Sequence, residues 1–476
     1  MIPELLLGLV HEDGRRWGEV AVDFQREDAD AILDPTRPAR QHFLTRPRGA
    51  SKTTDLAAIV LTALLEQLPA GAQAYAVAAD RDQAQLLLRE VAGFVGRSGL
   101  GDHVQVDNYK ATTNSGTTLT ALAADDAGAY GLRPHFVVVD ELAQWNTSGK
   151  PQRMYDAVFS AIPKVAASRF VVITTAGDPA HWSRRILDHA LQSPSWRVHE
   201  VPGPTPWLDP VALQEQEASL LPSQYARLHL NQWVAAEDRL TTPEDLAECV
   251  GHTGPLDYVH GNTYAVGLDI GLKNDKSVMT VCHSPQPTAD QPHRTVVVDR
   301  QVVWSGTRSK PVDLADVEAT FRHVHQSYNR PTLVVDPYQA ALLTSNLRRS
   351  GMRVEEYTFT QQSIGRLAQR MWQLLSQHAL VLPDDPELLD ELSNVRIRET
   401  SPGVYRMDHD ANRHDDRAIS LALAANYLLT KAPQRRTLSY GGHQYAPVGD
   451  IPYQAPKPAL VSDESFPGMS EYLAGP

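Results

Sequence analysis

The sequence predicts an α/β chain built on two successive sheets, and three observations carry the prediction. Short apolar runs that end in an acid or a threonine, "FVVVDE", "VVITTAG" and "TLVVDPYQA" among them, alternate with helix-length stretches rich in alanine and leucine. A proline-broken stretch, "PGPTPWLDP" at residues 202–210, separates two such series. The chain of 476 residues is longer than one core usually grows.

An apolar fraction of 42% and a charged fraction of 21% describe a globular protein. No run approaches the 18 apolar residues of a membrane span, and the opening "MIPELLLGLVHEDGR" lacks the basic start of a secretory signal, so the expectation is a cytosolic chain without a membrane partner. Cys249 and Cys282 are too few for a disulfide scaffold and lack zinc-site spacing. A net charge of -13 argues against a protein coated in nucleic acid, yet it leaves room for a local basic channel or an acidic metal cluster.

The first series opens at "RPRGASKTT", Arg46 to Thr54, followed by "DLAAIVLTALLEQL", a buried-helix composition. In a phosphate-binding loop, backbone N–H groups wrap the phosphates, a lysine reaches the β and γ oxygens, and the next hydroxyl helps to hold magnesium. Lys52 and Thr53 supply those two side chains and Gly49 one permissive backbone position, while Ser51 stands at the usual final glycine and Arg46 at the opening one. A basic helix entrance is the competing reading. "AQAYAVAA" then reads as a strand and "DRDQAQLLLREVAGFVGRS" as a helix that Asp80 is placed to cap.

"FVVVDE" puts Asp140 and Glu141 at a strand end, where Asp140 can organise a magnesium shell and Glu141 can polarise water for attack on a γ-phosphate. Capping of the next helix is the alternative. Thr174 and Thr175 end another strand, suited to sensing the γ-phosphate or to a simple turn. Arg46, Arg48, Arg81 and Arg133 are phosphate or inter-subunit arginines in one reading and solvated or capping arginines in the other.

Residues 201–260 read as a helical subdomain or linker. The second series begins at "TYAVGLDIG", where Asp269 interrupts an apolar strand and an unpaired charge would be costly. Asp275 follows on a turn, Asp336 ends "TLVVD", and Asp415 and Asp416 begin the helix "DDRAISLALAANYLL". Carboxylates at two strand ends and a helix start suit a pair of magnesium or manganese ions for phosphodiester cleavage, whereas strand termination and helix capping explain Asp336, Asp415 and Asp416 individually. His409 and His414 lie near the last pair; Arg366, Arg370, Arg396 and Arg398 face DNA phosphate or form solvated faces. The proline- and glycine-rich residues 431–476 read as a flexible or extended tail.

In this order, "RPRGASKTT", "FVVVDE", "VVITTAG", "AVGLDIG", "VVDPYQ" and "HDDRAISLALA" resemble the large terminase subunit of tailed double-stranded DNA phages over roughly residues 40–430. The resemblance implies an additional-strand P-loop ATPase domain (residues 1–200 with an N-terminal extension) followed by a ribonuclease-H-like nuclease domain (261–430). It implies ATP with Mg²⁺ at the first site, bound by Arg46 or Arg48, Gly49, Ser51, Lys52, Thr53 and Asp140, with Glu141 catalytic. Thr174 and Thr175 become the coupling motif, and Arg81, ahead of Arg133, an arginine finger acting in trans. At the second site it implies Mg²⁺ or Mn²⁺ on Asp269, Asp336 and Asp416, with Asp415 alternative or supporting. The implied partners are viral double-stranded DNA, a small terminase subunit, the procapsid portal protein and further copies in a ring, commonly pentameric. The implied location is the host cytoplasm, transiently at the portal and not in the mature virion. A helicase-nuclease of repair or defence is the alternative, and a non-enzymatic capsid-assembly adaptor a weaker one.

Overall fold

Strands β1 (Gln41–Thr45), β2 (Gln73–Ala78), β3 (Val104–Val106), β4 (Lys110–Thr113), β5 (Thr118–Ala123), β6 (Pro134–Asp140), β7 (Arg169–Thr174) and β8 (Trp196–Glu200) form one sheet in the order β3-β4-β5-β2-β6-β7-β1-β8. From β5 to β8 every pairing is parallel; only β4, near one edge, runs antiparallel to its neighbours β3 and β5. This computed structural model describes residues 2–123, 131–147, 149–271, 276–285, 295–307, 309–401, 404–409 and 415–430. The expected tail, 431–476, lies outside the described residues, as do Asp275, His414 and the side chain of His409.

The sheet is covered on both faces, and strand periodicity decides which residues face which layer. Leu44, Val138, Val171 and Ile173 pack with the helices Lys52–Thr62 and Arg81–Arg97, while Phe43, Val137, Val139 and Val172 pack with Trp145, Tyr155 and Trp182 on the other side. Asp80 caps the helix Arg81–Arg97 by accepting from the Gln83 N–H, as its position predicts. Strand β7 lies between β1, which leads into the loop Arg46–Ser51, and β6, which ends in Asp140. That inserted strand is the additional strand of the expected ATPase class.

The next strands are β9 (Glu237–Arg239), β10 (Val250–His252), β11 (Thr263–Asp269), β12 (Lys276–Ser284), β13 (Val296–Ser305), β14 (Thr332–Val335), β15 (Val354–Glu356) and β16 (Leu380–Pro383). They are followed by β17 (Val395–Ser401) and β18 (Val404–His409). Seven of these form a second sheet ordered β10-β16-β13-β12-β11-β14-β15, and β18-β17-β9 form a small third one. The antiparallel β13-β12-β11 meander continued by parallel β14 and β15 is the ribonuclease-H-like order. Residues 201–260 carry the helices Pro210–Ser219, Pro222–Leu228 and Pro243–Glu248 together with β9 and β10, and β9 pairs with β17.

The helix Asp416–Thr430 lies directly on β11 and β12 because Gly267 has no side chain. A Cβ there would meet the Ser420 carbonyl oxygen at 1.9 Å and the Ala424 nitrogen at 2.9 Å. The close approach is sealed by Ser420 Oγ, which meets Thr280 Oγ1. Both cysteines are buried and free.

Candidate nucleotide and nuclease sites

The loop after β1 turns sharply into the helix Lys52–Thr62. Gly49 (φ 81°) and Ser51 (φ 51°) both take left-handed backbone, so the loop achieves with one glycine and one serine what the usual pattern does with glycines. Lys52 is buried, and its Nζ donates to the carbonyls of Arg46 and Pro47 (both 3.2 Å) and to Thr175 Oγ1 (2.8 Å), with Glu141 Oε1 at 3.2 Å. Glu141 accepts from the Thr175 N–H at 3.0 Å and from Thr175 Oγ1 at 3.4 Å. Three sequence-distant segments therefore meet at one point, held by the register that sets β7 between β1 and β6.

Asp140 stands beside this cluster. Burial, then the neighbouring Glu141 charge, pushes its carboxyl up to about 7, with Lys52 opposing. Its Oδ1 is buried without a hydrogen-bond partner. An orphaned carboxylate oxygen next to the lysine-threonine loop is a donor set that fits a hard cation. Thr174, fully buried, donates through Oγ1 to the Thr175 carbonyl and accepts from the Ala143 N–H at 3.0 Å, tying the two strand ends together.

The arginines sort differently from the expectation. Arg46 does not turn to the phosphate loop's open side: its guanidinium is buried, bonding Asp55 at 2.6 Å and Asp28 at 2.8 Å, over the Phe24 ring. Two buried acids draw it inward, where a charged guanidinium needs partners. Arg48 is exposed and pinned by its backbone N–H to the Leu228 carbonyl at 2.7 Å. Arg81 is exposed at the start of its helix, 6.0 Å from the Tyr109 ring centre, and Arg133 is exposed ahead of β6. Arg370 bonds Asn426 and Thr430, while Arg396 and Arg398 pair with Glu237 and Arg398 also with Asp408. Those three are engaged within the chain; Arg366 is exposed.

At the second sheet, Leu268 is in register with Val335 on parallel strands, so Asp269 and Asp336 leave adjacent strand ends side by side. Asp336 also caps the helix Pro337–Arg349, accepting from the Tyr338 N–H at 3.1 Å. Asp416 is buried in the first turn of its helix and accepts from the Lys276 N–H at 3.1 Å. Burial first, then the charges of Asp416, Asp415 and Asp336 in that order, push Asp269 up to about 8. The four acids thus gather at one sheet end. Among the described residues, however, no three of them close into a ready cage for an ion. Mutual repulsion among these oxygens is what a divalent cation relieves, so the donor chemistry fits one.

Two contributors escaped the sequence reading. Glu391 caps the helix Asp416–Thr430, its buried carboxylate accepting from the N–H groups of Arg417 (2.7 Å) and Ala418 (3.0 Å), and nothing in "PELLDELSN" distinguishes it from its acidic neighbours. Asn231, in left-handed backbone, accepts from the Ala176 N–H at 2.9 Å and donates to Thr45 Oγ1 at 3.0 Å and the Val201 carbonyl at 2.8 Å. It fastens the segment after residue 200 to the ends of β1 and β7.

With this geometry in place, comparison with known proteins is specific. Residues 36–184 match the family model "Terminase large subunit, ATPase domain". The terminase large subunits of Thermus phage G20c and Thermus virus P23-45 are each 25% identical over 174 residues, 35% of this chain; the matched stretch spans about a third (32%) of their length. The fold is similar to that of the large terminase of a thermophilic bacteriophage, with a TM-score of 0.52 and 14% identity over 85% of this chain and 98% of that one. A second crystal form of that phage protein, in complex with ADP, gives a TM-score of 0.51 at 14% identity, over 86% of this chain and 99% of that one.

Proposed function

We propose that this chain, whose residues 36–184 match the terminase large-subunit ATPase domain, works as an ATP-driven motor that moves viral double-stranded DNA into a procapsid and cuts the concatemer with a metal-dependent nuclease. The observation that carries the reading is the meeting of Lys52, Glu141 and Thr175 within 2.8–3.4 Å at the ends of β1's loop, β6 and β7. The family match, to a terminase ATPase domain, is what favours packaging over a helicase-nuclease.

In this reading Lys52 exchanges the Arg46 and Pro47 carbonyls for phosphate oxygens, and the left-handed turn at Gly49 and Ser51 shapes the loop that would wrap the phosphates. Thr53 and Asp140 hold magnesium, which when bound neutralises charge on the β- and γ-phosphates. Lys52 and Thr175 restrain Glu141 before nucleotide arrives. When phosphate claims Lys52, a Glu141 oxygen is released to orient water, and Thr175 registers the same exchange. Arg81, exposed at a helix start, is our choice to act in trans on a neighbouring copy in a ring.

For the nuclease, Asp269, Asp336 and Asp416 hold the ion, with Asp415 in support. A divalent cation there, Mg²⁺ or Mn²⁺, supplies water activation and stabilisation of the leaving oxygen. Lys276 holds Asp416 through its N–H, and Glu391 holds the helix that presents it. The small terminase subunit and the portal protein are the proposed partners, and the host cytoplasm, with transient docking at the portal, the proposed location.

DNA-stimulated ATP hydrolysis tests the first site. Lys52→Ala is expected to abolish nucleotide binding and turnover, and Glu141→Gln to cut turnover by about 100-fold or more while still binding ATP. Hydrolysis that persists in Lys52→Ala sinks the assignment. Metal-dependent duplex cleavage unchanged in Asp336→Ala sinks the second.

A further inference from the structure

We propose that Tyr338 and Leu342 form an apolar wedge that enters the minor groove of duplex DNA beside the cleavage point, an inference that rests on the nuclease reading above. Among the described residues these are the two most exposed large apolar side chains, at 89% and 72%. They stand one turn apart on the helix Pro337–Arg349. The same helix meets the core through Ala340, Leu343 and Leu347, so its exposed pair has no part in packing. Tyrosine and leucine side by side on one face give the helix a small solvated apolar step.

The place of the pair selects the partner. Tyr338 follows the capping acid Asp336 by two residues, and its N–H is bonded to that carboxylate. At the rise of an α-helix, Tyr338 lies about 3 Å and Leu342 about 9 Å along the axis from Asp336. A phosphodiester drawn to a divalent cation on these acids would therefore bring its flanking sugars and base edges over these two side chains. A minor groove about 6 Å wide and about 7.5 Å deep admits a ring and a branched chain, and apolar side chains inserted there unstack a base step and bend the duplex. The wedge fixes the duplex against the acids without reading sequence, since each base pair offers a similar stacking face.

The test uses the full chain and a duplex carrying 2-aminopurine near its centre. Mixed with wild type in Ca²⁺, a hard cation for oxygen ligands, the probe is expected to brighten as its neighbours unstack, and the double variant Tyr338→Ala/Leu342→Ala to leave it dark. After Mn²⁺ addition the double variant should show a KM for duplex about tenfold higher, with kcat within about twofold of wild type. Tyr338→Trp, which keeps an aromatic ring, should retain the brightening. A double variant that matches wild type in both fluorescence and KM overturns the wedge. So does a double variant whose KM is unchanged but whose self-association, measured by sedimentation, is lost, because the face then serves a second copy of the chain. If wild type cuts no duplex with Mg²⁺ or Mn²⁺, the nuclease reading itself fails, an outcome separate from the other two.

Discussion

Replacing Asp269 by asparagine should make the metal-free protein more stable, and the size of the gain should depend on pH. Asp269 sits among like charges with its carboxyl raised from 3.8 to about 8, so between those values the folded state holds a proton that the unfolded state has lost. Stability then falls as pH rises through that window, by about 1.4 kcal/mol per unit, and levels off above about 8. At pH 7 the interval is about three units, an upper bound of about 4 kcal/mol. Part of Asp269 remains open to water, which screens the effect, and we expect about 1–3 kcal/mol at pH 7 and under about 1 kcal/mol at pH 5. For a domain of this size that is a melting increase of roughly 2–10 °C at pH 7. Thermal unfolding of both proteins with chelator, at pH 5 and pH 7, measures it. Mg²⁺ or Mn²⁺ should then raise the melting point of wild type and leave Asp269→Asn nearly unmoved. An asparagine variant no more stable than wild type at pH 7, or a gain that does not shrink at pH 5, refutes the argument.

Three further outcomes follow from the packing. Arg46→Ala leaves Asp55 buried without its cation and should cost about 3–5 kcal/mol in denaturant unfolding, whereas Arg48→Ala, at an exposed side chain, should leave stability unchanged. Ser51→Gly relieves a left-handed residue and should be neutral or stabilising by about 1 kcal/mol with turnover retained, while Ser51→Val should destabilise, both read by melting and phosphate release. Gly267→Ala drives a methyl into the Ser420 carbonyl and should lift the Asp416 helix, lowering stability by about 1–3 kcal/mol or more and abolishing duplex cleavage.

Much of this architecture was legible because parallel strands buried on both faces leave uninterrupted apolar runs, and because several of those runs end at a polar side chain. Asp140, Thr174, Asp269 and Asp336 all stand at or just beyond such ends. Order within the sheet was not legible from the runs, since nothing local to β7 says that it inserts between β1 and β6. Arg46 misled for a related reason: its partners lie 9 and 18 residues away in elements whose docking the sequence does not announce. Glu391 and Asn231 act through backbone groups of distant segments, and a bond to a backbone N–H leaves no mark on the residue type at the other end. The pairing of β9 with β17 was hidden by the same separation.

That last pairing bears on how two sites in one chain can be connected. The loop after Thr175 bonds the segment beyond residue 200 twice, through Ala176 to Asn231 and through Asp178, whose carboxylate accepts from the Ala236 N–H at 2.9 Å. The Ala236 carbonyl in turn accepts from the Glu399 N–H on β17 at 2.9 Å, and Glu399 pairs with Arg227 at 2.5 Å with both side chains nearly buried. Two hydrogen bonds thus separate the loop that follows Lys52's partner from the strand pair β17–β18, which precedes the Asp416 helix in the chain. A ligand shifts such an arrangement only through contacts that differ between its bound and free states. At the proposed nucleotide site those contacts are the ones Lys52 makes, because Thr175 and Glu141 would compete for it with phosphate. The hydrogen bonds from Asp178 to β17 are therefore where a change at Thr175 meets the half of the chain that carries Asp269 and Asp336, and their spatial continuity becomes energetic coupling only to the extent that Thr175 has two positions.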